Sequence, residues 1–230
     1  MSTPIPPPQS AQVWIDFDGT ITQLDVLDEL IRRFAVDDSW KIAEEQWQAG
    51  LIGSRDCLTR QLAVVAATDD ALDRFVDEIP VDAGFVKLIS LLDENQVPWT
   101  ILSDGIDRFI ARLTKRVGIE SARFRSNAID TATGRLNLIC PHGSADCRSA
   151  SAHCKCASIA SLSTGRTAIY IGDGRSDLCP SRTVPCRFAK GVLAVNLERE
   201  GLWFLPFDTL DDVAESLKAV WADPIAAARV

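Results

Sequence analysis

The sequence predicts an α/β protein: an open parallel sheet flanked by helices, with an all-helical segment inserted after the first strand. Three observations carry this. Short apolar runs end repeatedly in loops of acids, hydroxyls and glycines, as buried parallel strands do at a functional edge. Amphipathic stretches of helical period alternate with those runs. Residues 22–82 hold helix-period stripes and no convincing strand.

Residues 1–12 carry Pro4, Pro6, Pro7 and Pro8 and read as a disordered leader with no apolar targeting segment. The run Val13-Trp14-Ile15-Asp16-Phe17 is the first strand, ending in Asp18-Gly19-Thr20. Residues 22–82 then form the expected cap domain. Its stripes are Leu24, Leu27, Leu30, Ile31 and Phe34; Trp40, Ile42, Trp47, Leu51 and Ile52; and Leu58, Leu62 and Val65, punctuated by Gly50 and Gly53. Residues 13–21 and 83–230 form the expected core domain. It opens on a helix with Phe85, Leu88, Leu91 and Leu92 on one face. A second strand, 99–102, ends in Ser103-Asp104-Gly105, and the next helical face collects Ile106, Phe109, Ile110, Leu113 and Val117. A third strand, 168–171, ends in Gly172-Asp173-Gly174. Weaker strands at 186–189 and 203–205 precede a helix with Leu210, Val213, Leu217 and Val220 aligned. Ligands of open parallel sheets sit outside the carboxyl ends of the strands, where the three polar loops converge.

The formal net charge of −8 argues against non-specific nucleic-acid binding, which needs a basic face, and leaves room for a small anionic substrate held locally. No apolar run approaches a membrane span. The expectation is a cytoplasmic enzyme whose partner is a small phosphorylated metabolite, not nucleic acid or membrane.

Asp16 and Asp18 lie two apart at a strand end, so their side chains share a direction. One carboxylate suits a nucleophile and metal ligand, the other an acid and base. Gly19 permits a tight turn and leaves amides free for an anion. The loop 172–177 brings Asp173 and Asp177, and hard oxygen ligands from separate strands are what Mg²⁺ requires. Ser103, Asp104 and Gly105 offer a hydroxyl and amides at a helix start, suited to phosphate. Phosphoryl transfer also calls for a lysine against developing charge.

Asp-Phe-Asp-Gly-Thr (16–20), Ser103, a lysine and Gly-Asp-Gly-x-Ser-Asp (172–177) resemble the four motifs of the haloacid dehalogenase superfamily, in the order and spacing of its phosphatases. The resemblance implies a Rossmann-like core, Mg²⁺ and a phospho-aspartyl intermediate. It makes Asp16 the nucleophile and a metal ligand. Asp18 becomes the general acid/base, with its backbone carbonyl on the metal. Ser103, in the loop with Asp104 and Gly105, binds phosphate; Asp173 completes the metal ligands; Asp177 supports the metal waters or the lysine. Asp18 favours a phosphatase over a dehalogenase, because halide departure needs no acid. The lysine is read as Lys155, which precedes the last motif; Lys115 and Lys190 are the alternatives.

The helical insertion resembles the cap of the phosphoserine-phosphatase-like subfamily, and Asp25 sits where that enzyme has a Glu for the substrate's amino group; a polar residue on the exposed side of the first cap helix is the other reading of Asp25. A further likeness is to 2-hydroxy-3-keto-5-methylthiopentenyl-1-phosphate phosphatases, through residues 16–22, Ser103, Gly105-Ile106-Asp107, Pro141-His142 and a cysteine-rich run ending at Lys155. Asp104 departs from it, standing where Gly is usual, so that an acid borders the phosphate pocket. Arg108 beside that loop is read as an exposed helical residue or a substrate contact. Phosphoserine phosphatase itself, or a retired binding protein on this fold, are the alternative functions; the intact motif residues oppose retirement.

The segment 140–156 holds four of the seven cysteines and both histidines. Thiolate with imidazole is the usual ligand set for structural Zn²⁺, drawn here from Cys140, His142, Cys147, Cys154 and Cys156. A disulfide such as Cys147–Cys154 and packed free thiols are the other readings. A metal or a bridge would fix the backbone of Lys155.

Overall fold

A computed structural model describes residues 5–132 and 134–222. The first strand, β1 (Ala11–Ile15), lies between β2 (Trp99–Ile106) and β5 (Thr167–Gly172), both parallel to it, with Ile15 opposite Ile101 and Ile171. β3 (Phe124–Asp130) follows β2, and β4 (Asn137–Ile139) closes that edge antiparallel. On the other side come β6 (Cys186–Ala189) and β7 (Leu205–Pro206), giving a seven-stranded sheet in the order β4-β3-β2-β1-β5-β6-β7. The chain leaves β1 toward β2 and returns much later as β5 on its other flank. The crevice opens where the two directions part. All of β1 is buried, as helices on both faces demand.

The helices are α1 (Val26–Phe34), α2 (Trp40–Gln48), α3 (Ser54–Ala63), α4 (Asp69–Glu78), α5 (Gly84–Glu94), α6 (Asp107–Arg116), α7 (Lys155–Leu162), α8 (Leu178–Ser181), α9 (Gly191–Arg199) and α10 (Leu210–Ala222). The first four make up the helical insertion between β1 and α5. Asp25 and Thr68 start α1 and α4 by accepting from the amides of Asp28 and Ala71. The two connections to the insertion pair with each other: Gln23 N–H donates to Pro80 at 3.0 Å and Asp82 N–H to Ile21 at 2.8 Å. α4 is fastened along α6. Arg108 reaches Asp69 and Asp73, Arg112 reaches Asp73 and Asp77, and Arg116 donates to the carbonyls of Val76, Asp77 and Ile79. Phe75 packs edge-on against Phe109 within this seam. Arg108 is therefore engaged in ion pairs with α4.

The structure corrects several expectations. Residues 1–4 of the expected leader lie outside the described residues. The rest of it is ordered: Ile5 is buried, Pro8–Ser10 forms a 3₁₀ turn, and the carbonyl of Pro6 accepts from the Trp221 indole at 2.9 Å. Proline fixes φ without forbidding an extended or 3₁₀ path. The expected third strand is the fifth, because β3 and β4 precede it. Ile42 and Leu51 are exposed instead of lining the core. Ile106 ends β2, so the following helix begins at Asp107. No helix among the described residues is long and apolar enough to cross a membrane.

Candidate active site

Asp16 leaves the end of β1 with its amide bonded to Ile171 across the sheet at 2.9 Å. Its carboxylate meets the ammonium of Lys155, the first residue of α7. Lys155 also donates to Asp177 Oδ1 at 2.6 Å and Ser176 Oγ at 3.2 Å. Both Lys155 and Asp177 are buried. The hydroxyl of Tyr170 donates to Asp177 Oδ1 at 2.5 Å, while Asp177 Oδ2 accepts from the amides of Asp173 and Gly174 at 3.1 and 3.0 Å. Asp177 thus anchors the lysine and shapes the loop that presents Asp173. Neither Lys115 nor Lys190 takes the lysine's place. Lys115 lies on α6, and Lys190 points to the Asp208 carbonyl and the Phe207 ring.

Asp18 is held from both sides. The amide of Val26, at the start of α1, donates to Oδ1 at 3.1 Å, and Ser103 Oγ donates to Oδ2 at 2.9 Å. Ser103 Oγ accepts in turn from Gly105 N–H at 2.7 Å. A Cβ at position 105 would stand 2.8 Å from that hydroxyl and 2.9 Å from Asp18 Oδ2, so only glycine fits. Gly19 turns with φ +76, and a side chain there would run into the Asp173 carboxylate. Thr20 Oγ1 donates to Asp173 Oδ1 at 3.0 Å. Thr20 and Tyr170 escaped sequence reasoning. A hydroxyl in an otherwise apolar strand is the only signal Tyr170 leaves.

Burial pushes the Asp16 carboxyl well up, with Asp177, Asp173 and Asp18 adding to the push and Lys155 opposing it. Burial, then Asp25, raise Asp18 to about 7, against the pull of the Val26 amide and Ser103. Burial and Asp177 raise Asp173 to about 6. Burial alone would lower Lys155, but Asp16 and Asp177 outweigh it and hold the ammonium charged. The carboxylates of Asp16, Asp173 and Asp177 converge within 4.8 Å. One lysine cannot neutralise this group. With Asp177 committed to its own hydrogen bonds, Asp16 and Asp173 present oxygen ligands of the kind a hard divalent cation takes.

Asp16 and Asp173 border a cavity of about 190 Å³ between the helical insertion and the strand ends, with Asp18, Asp25, Trp47 and Asp104 also in its wall. Asp25 spends Oδ1 on capping α1, at 2.9 Å from the Asp28 amide. Asp104 differs from expectation. Its carboxylate turns away from the phosphate loop, taking Ser54 Oγ on Oδ2 at 2.7 Å and His153 N–H on Oδ1 at 2.6 Å. Both of its oxygens are engaged in joining the start of α3 to the chain before Lys155.

The cysteine-rich segment forms neither of the cross-links considered. All seven cysteines are free thiols. Among the described residues the only three-membered cluster of metal-ligating type is the aspartate one, so Cys140, His142, Cys147, Cys154 and Cys156 do not gather as a zinc site. Cys147 Sγ accepts from the Ser151 amide, and Cys156 Sγ lies 2.9 Å from Cys179. His153 is turned inward, with Nδ1 at 2.9 Å from the Ser103 carbonyl and Nε2 at 2.7 Å from Ser158 Oγ. Burial lowers its pKa to about 3, so the ring is neutral. The carbonyl partner assigns the proton to Nδ1.

Comparison with known proteins agrees with this geometry. A profile of haloacid dehalogenase-like hydrolases matches residues 13–180. A 2-hydroxy-3-keto-5-methylthiopentenyl-1-phosphate phosphatase of Bacillus cereus is 28% identical over 91% of this chain and 96% of its own. Among solved structures, a HAD-family hydrolase of Salmonella enterica superposes with TM-score 0.72 at 20% identity, covering 90% of this chain and 70% of that one. A phosphoserine phosphatase holding a phospho-aspartyl intermediate analogue superposes with TM-score 0.67 at 16% identity, over 90% and 97%. With the profile spanning most of the chain and the same fold in these structures, the protein belongs to the haloacid dehalogenase-like hydrolase family.

Proposed function

We propose that this protein is a Mg²⁺-dependent phosphatase that hydrolyses a small phosphorylated metabolite through a phospho-aspartyl intermediate on Asp16. The observation that carries the reading is that Asp16 and Asp18 face one cavity, with Lys155 bonded behind Asp16 and Ser103 bonded behind Asp18. Asp16 Oδ attacks phosphorus while Asp18, as its acid, gives a proton to the departing alkoxide. Asp18 then takes a proton from the water that attacks the acyl phosphate, which returns Asp16 free and releases inorganic phosphate. A pKa near 7 suits both halves of that exchange. Ser103, whose oxygen the Gly105 amide holds in place, turns its hydroxyl proton from Asp18 to a phosphate oxygen, and Lys155 offsets the phosphate charge. Asp16, Asp173 and the main chain of Asp18 would hold the cation, which when bound neutralises part of the phosphoryl charge.

The test is Mg²⁺-dependent hydrolysis of p-nitrophenyl phosphate, inhibition by vanadate or BeF₃⁻, and a panel of phosphorylated metabolites beginning with the relative's substrate. Phosphoserine is disfavoured by charge. Its carboxylate would face Asp25, Asp28 and Glu44, and the one basic group in the wall, Arg175, is turned to the carbonyls of Trp47 and Gln48.

Asp18→Asn should retain Mg²⁺ binding and lower kcat by about 10²–10⁴-fold, the size of a lost acid/base. Loss of both steps together, read as a slowed burst and a slowed steady state, would identify it.

Metal binding has its own readout. Unfolded aspartate titrates near 3.9; Asp173 and Asp18 in the fold titrate at about 6 and 7. Their raised values mean that ionisation costs stability as pH climbs from about 4 to 7. A cation relieves that cost and must displace the protons first. Mg²⁺ at about 100 times its Kd should therefore raise Tm by on the order of 5–10 °C at pH 8 and by much less at pH 5. Equal shifts at both pH values would contradict the assignment.

A further inference from the structure

The structure assigns Asp104 the part of a positioning residue: one carboxylate that seats the helical insertion on the core and fixes the strap leading to Lys155. This rests on the phosphatase reading above. Three segments meet at Asp104. Its backbone lies near the end of β2, in the segment Ser103–Gly105, and its carbonyl accepts from Asn127 Nδ2 at 2.7 Å, which ties that segment to β3. Its Oδ2 accepts from Ser54 Oγ, the hydroxyl of the first residue of α3. Its Oδ1 accepts from the amide of His153, two residues before Lys155.

Each segment is also tied to another without Asp104. Ser54 Oγ accepts from the Ala152 amide at 3.1 Å, and the Arg55 amide donates to the Ala150 carbonyl at 3.3 Å. The His153 ring returns to the Ser103 carbonyl. The start of α3 therefore rests on the strap 150–154, the strap rests on the phosphate loop, and the carboxylate of Asp104 closes the triangle. Gly53 makes the seat close: a Cβ there would stand 2.5 Å from that of Ala150. The linkers that admit the insertion lie elsewhere, at the Thr22–Val81 bridge. The insertion is thus held at its connections and again at Ser54.

An ammonium displaced by about 1 Å from its place beside Asp16 would lower the rate by on the order of 100-fold. Asp104→Ala leaves the His153 amide and the Ser54 hydroxyl without their shared acceptor, so the strap and α3 both loosen. Asp104→Asn keeps an oxygen for the His153 amide and should restore kcat to within about tenfold of wild type. Ser54→Ala removes both bonds of the insertion's hydroxyl, to Asp104 and to the Ala152 amide, and leaves the His153 amide on Asp104. It should raise KM several-fold while leaving kcat nearly unchanged.

The experiment measures kcat and KM of the full chain on p-nitrophenyl phosphate for Asp104→Ala, Asp104→Asn, Ser54→Ala and the Ser54→Ala/Asp104→Asn pair. Circular dichroism and thermal unfolding establish that each variant is folded. The expected pattern is a kcat loss of about 100-fold for Asp104→Ala, recovery in Asp104→Asn, and a KM effect for Ser54→Ala that is not additive with Asp104→Asn. A folded Asp104→Ala with wild-type kcat overturns the proposal. So does an Asp104→Asn that loses as much as Asp104→Ala, or, if Asp104→Ala does not fold, Ser54 and Asp104→Asn effects that are small and strictly additive. Failure of the wild-type protein to hydrolyse any phosphate monoester would instead remove the phosphatase reading, a distinct outcome.

Discussion

Asp16→Asn is expected to abolish turnover, with a loss of at least about 10⁴-fold, the scale seen when a covalent nucleophile is removed. An amide oxygen does not attack phosphorus at a useful rate, and no neighbouring carboxylate can take over. Asp177 is consumed by Lys155, Tyr170 and two amides, and Asp18 is held by Val26 and Ser103. The fold should survive. Asp16 is a buried acid whose pKa is pushed up by its surroundings, so neutralising it removes repulsion, and Lys155 keeps Asp177 as its counterion. The expected observation is a folded protein with an undiminished Tm and no burst of p-nitrophenol. Near-native activity in that variant would rule out the covalent route.

Removal of Lys155 should cost both activity and stability. The ammonium lies between two buried carboxylates, and Lys155→Met leaves them facing each other without it. Breaking such a buried pairing costs about 3–5 kcal/mol, or a Tm lower by on the order of 10 °C for a chain of this length. The catalytic loss should be about 10³-fold, as for a missing electrostatic donor in a closed site. The sign of the pH dependence follows from Asp16, whose carboxyl burial and its acidic neighbours push up. Its protonation as pH falls removes the repulsion, so the Tm gap between wild type and Lys155→Met should be wide at pH 8 and narrow at pH 5. Equal stability of the two proteins at pH 8 would contradict the geometry. Lys155→Arg should recover little, because a planar guanidinium does not fit a seat shaped around a point charge.

The parts of the molecule legible in the sequence are those written locally. Three apolar runs with polar ends place the central strands, and because β1, β2 and β5 are adjacent, the residues just beyond those runs meet in space. Asp16, Asp18, Ser103 and Asp173 could be grouped on that ground. Lys155 needed the motif order as well, since its helix carries no signal of its own. β3 and β4 were missed because Arg125, Ser126, Asn127 and Asn137 give them no apolar run; they are strands by virtue of the neighbours they pair with. The leader was misjudged because the contact that orders it comes from Trp221, far along the chain. The cysteine segment misled for the opposite reason. Its composition suggests ligands, but orientation decides coordination, and His153 is aimed at Ser103 and Ser158. The bridging role of Asp104 depends on Ser54 and His153, which are respectively 50 and 49 positions away.

The seam between α4 and α6 poses a problem of alignment. Its acids recur every four residues, at Asp69, Asp73 and Asp77, and so do its arginines, at Arg108, Arg112 and Arg116. A comb of identical teeth meshes almost as well when shifted by one tooth. With α4 slid one turn, Arg108 would meet Asp73 and Asp77, and Arg112 would still find Asp77. Charge alone therefore leaves the vertical alignment of the two helices nearly degenerate. The features without a repeat must break the tie: the Phe75 ring wedged between Phe34 and Phe109, and the three carbonyls at the end of α4 that only Arg116 reaches. Such a seam separates attraction from addressing. The ion pairs bring the helices together from many starting points, and one aromatic and one arginine decide where they stop.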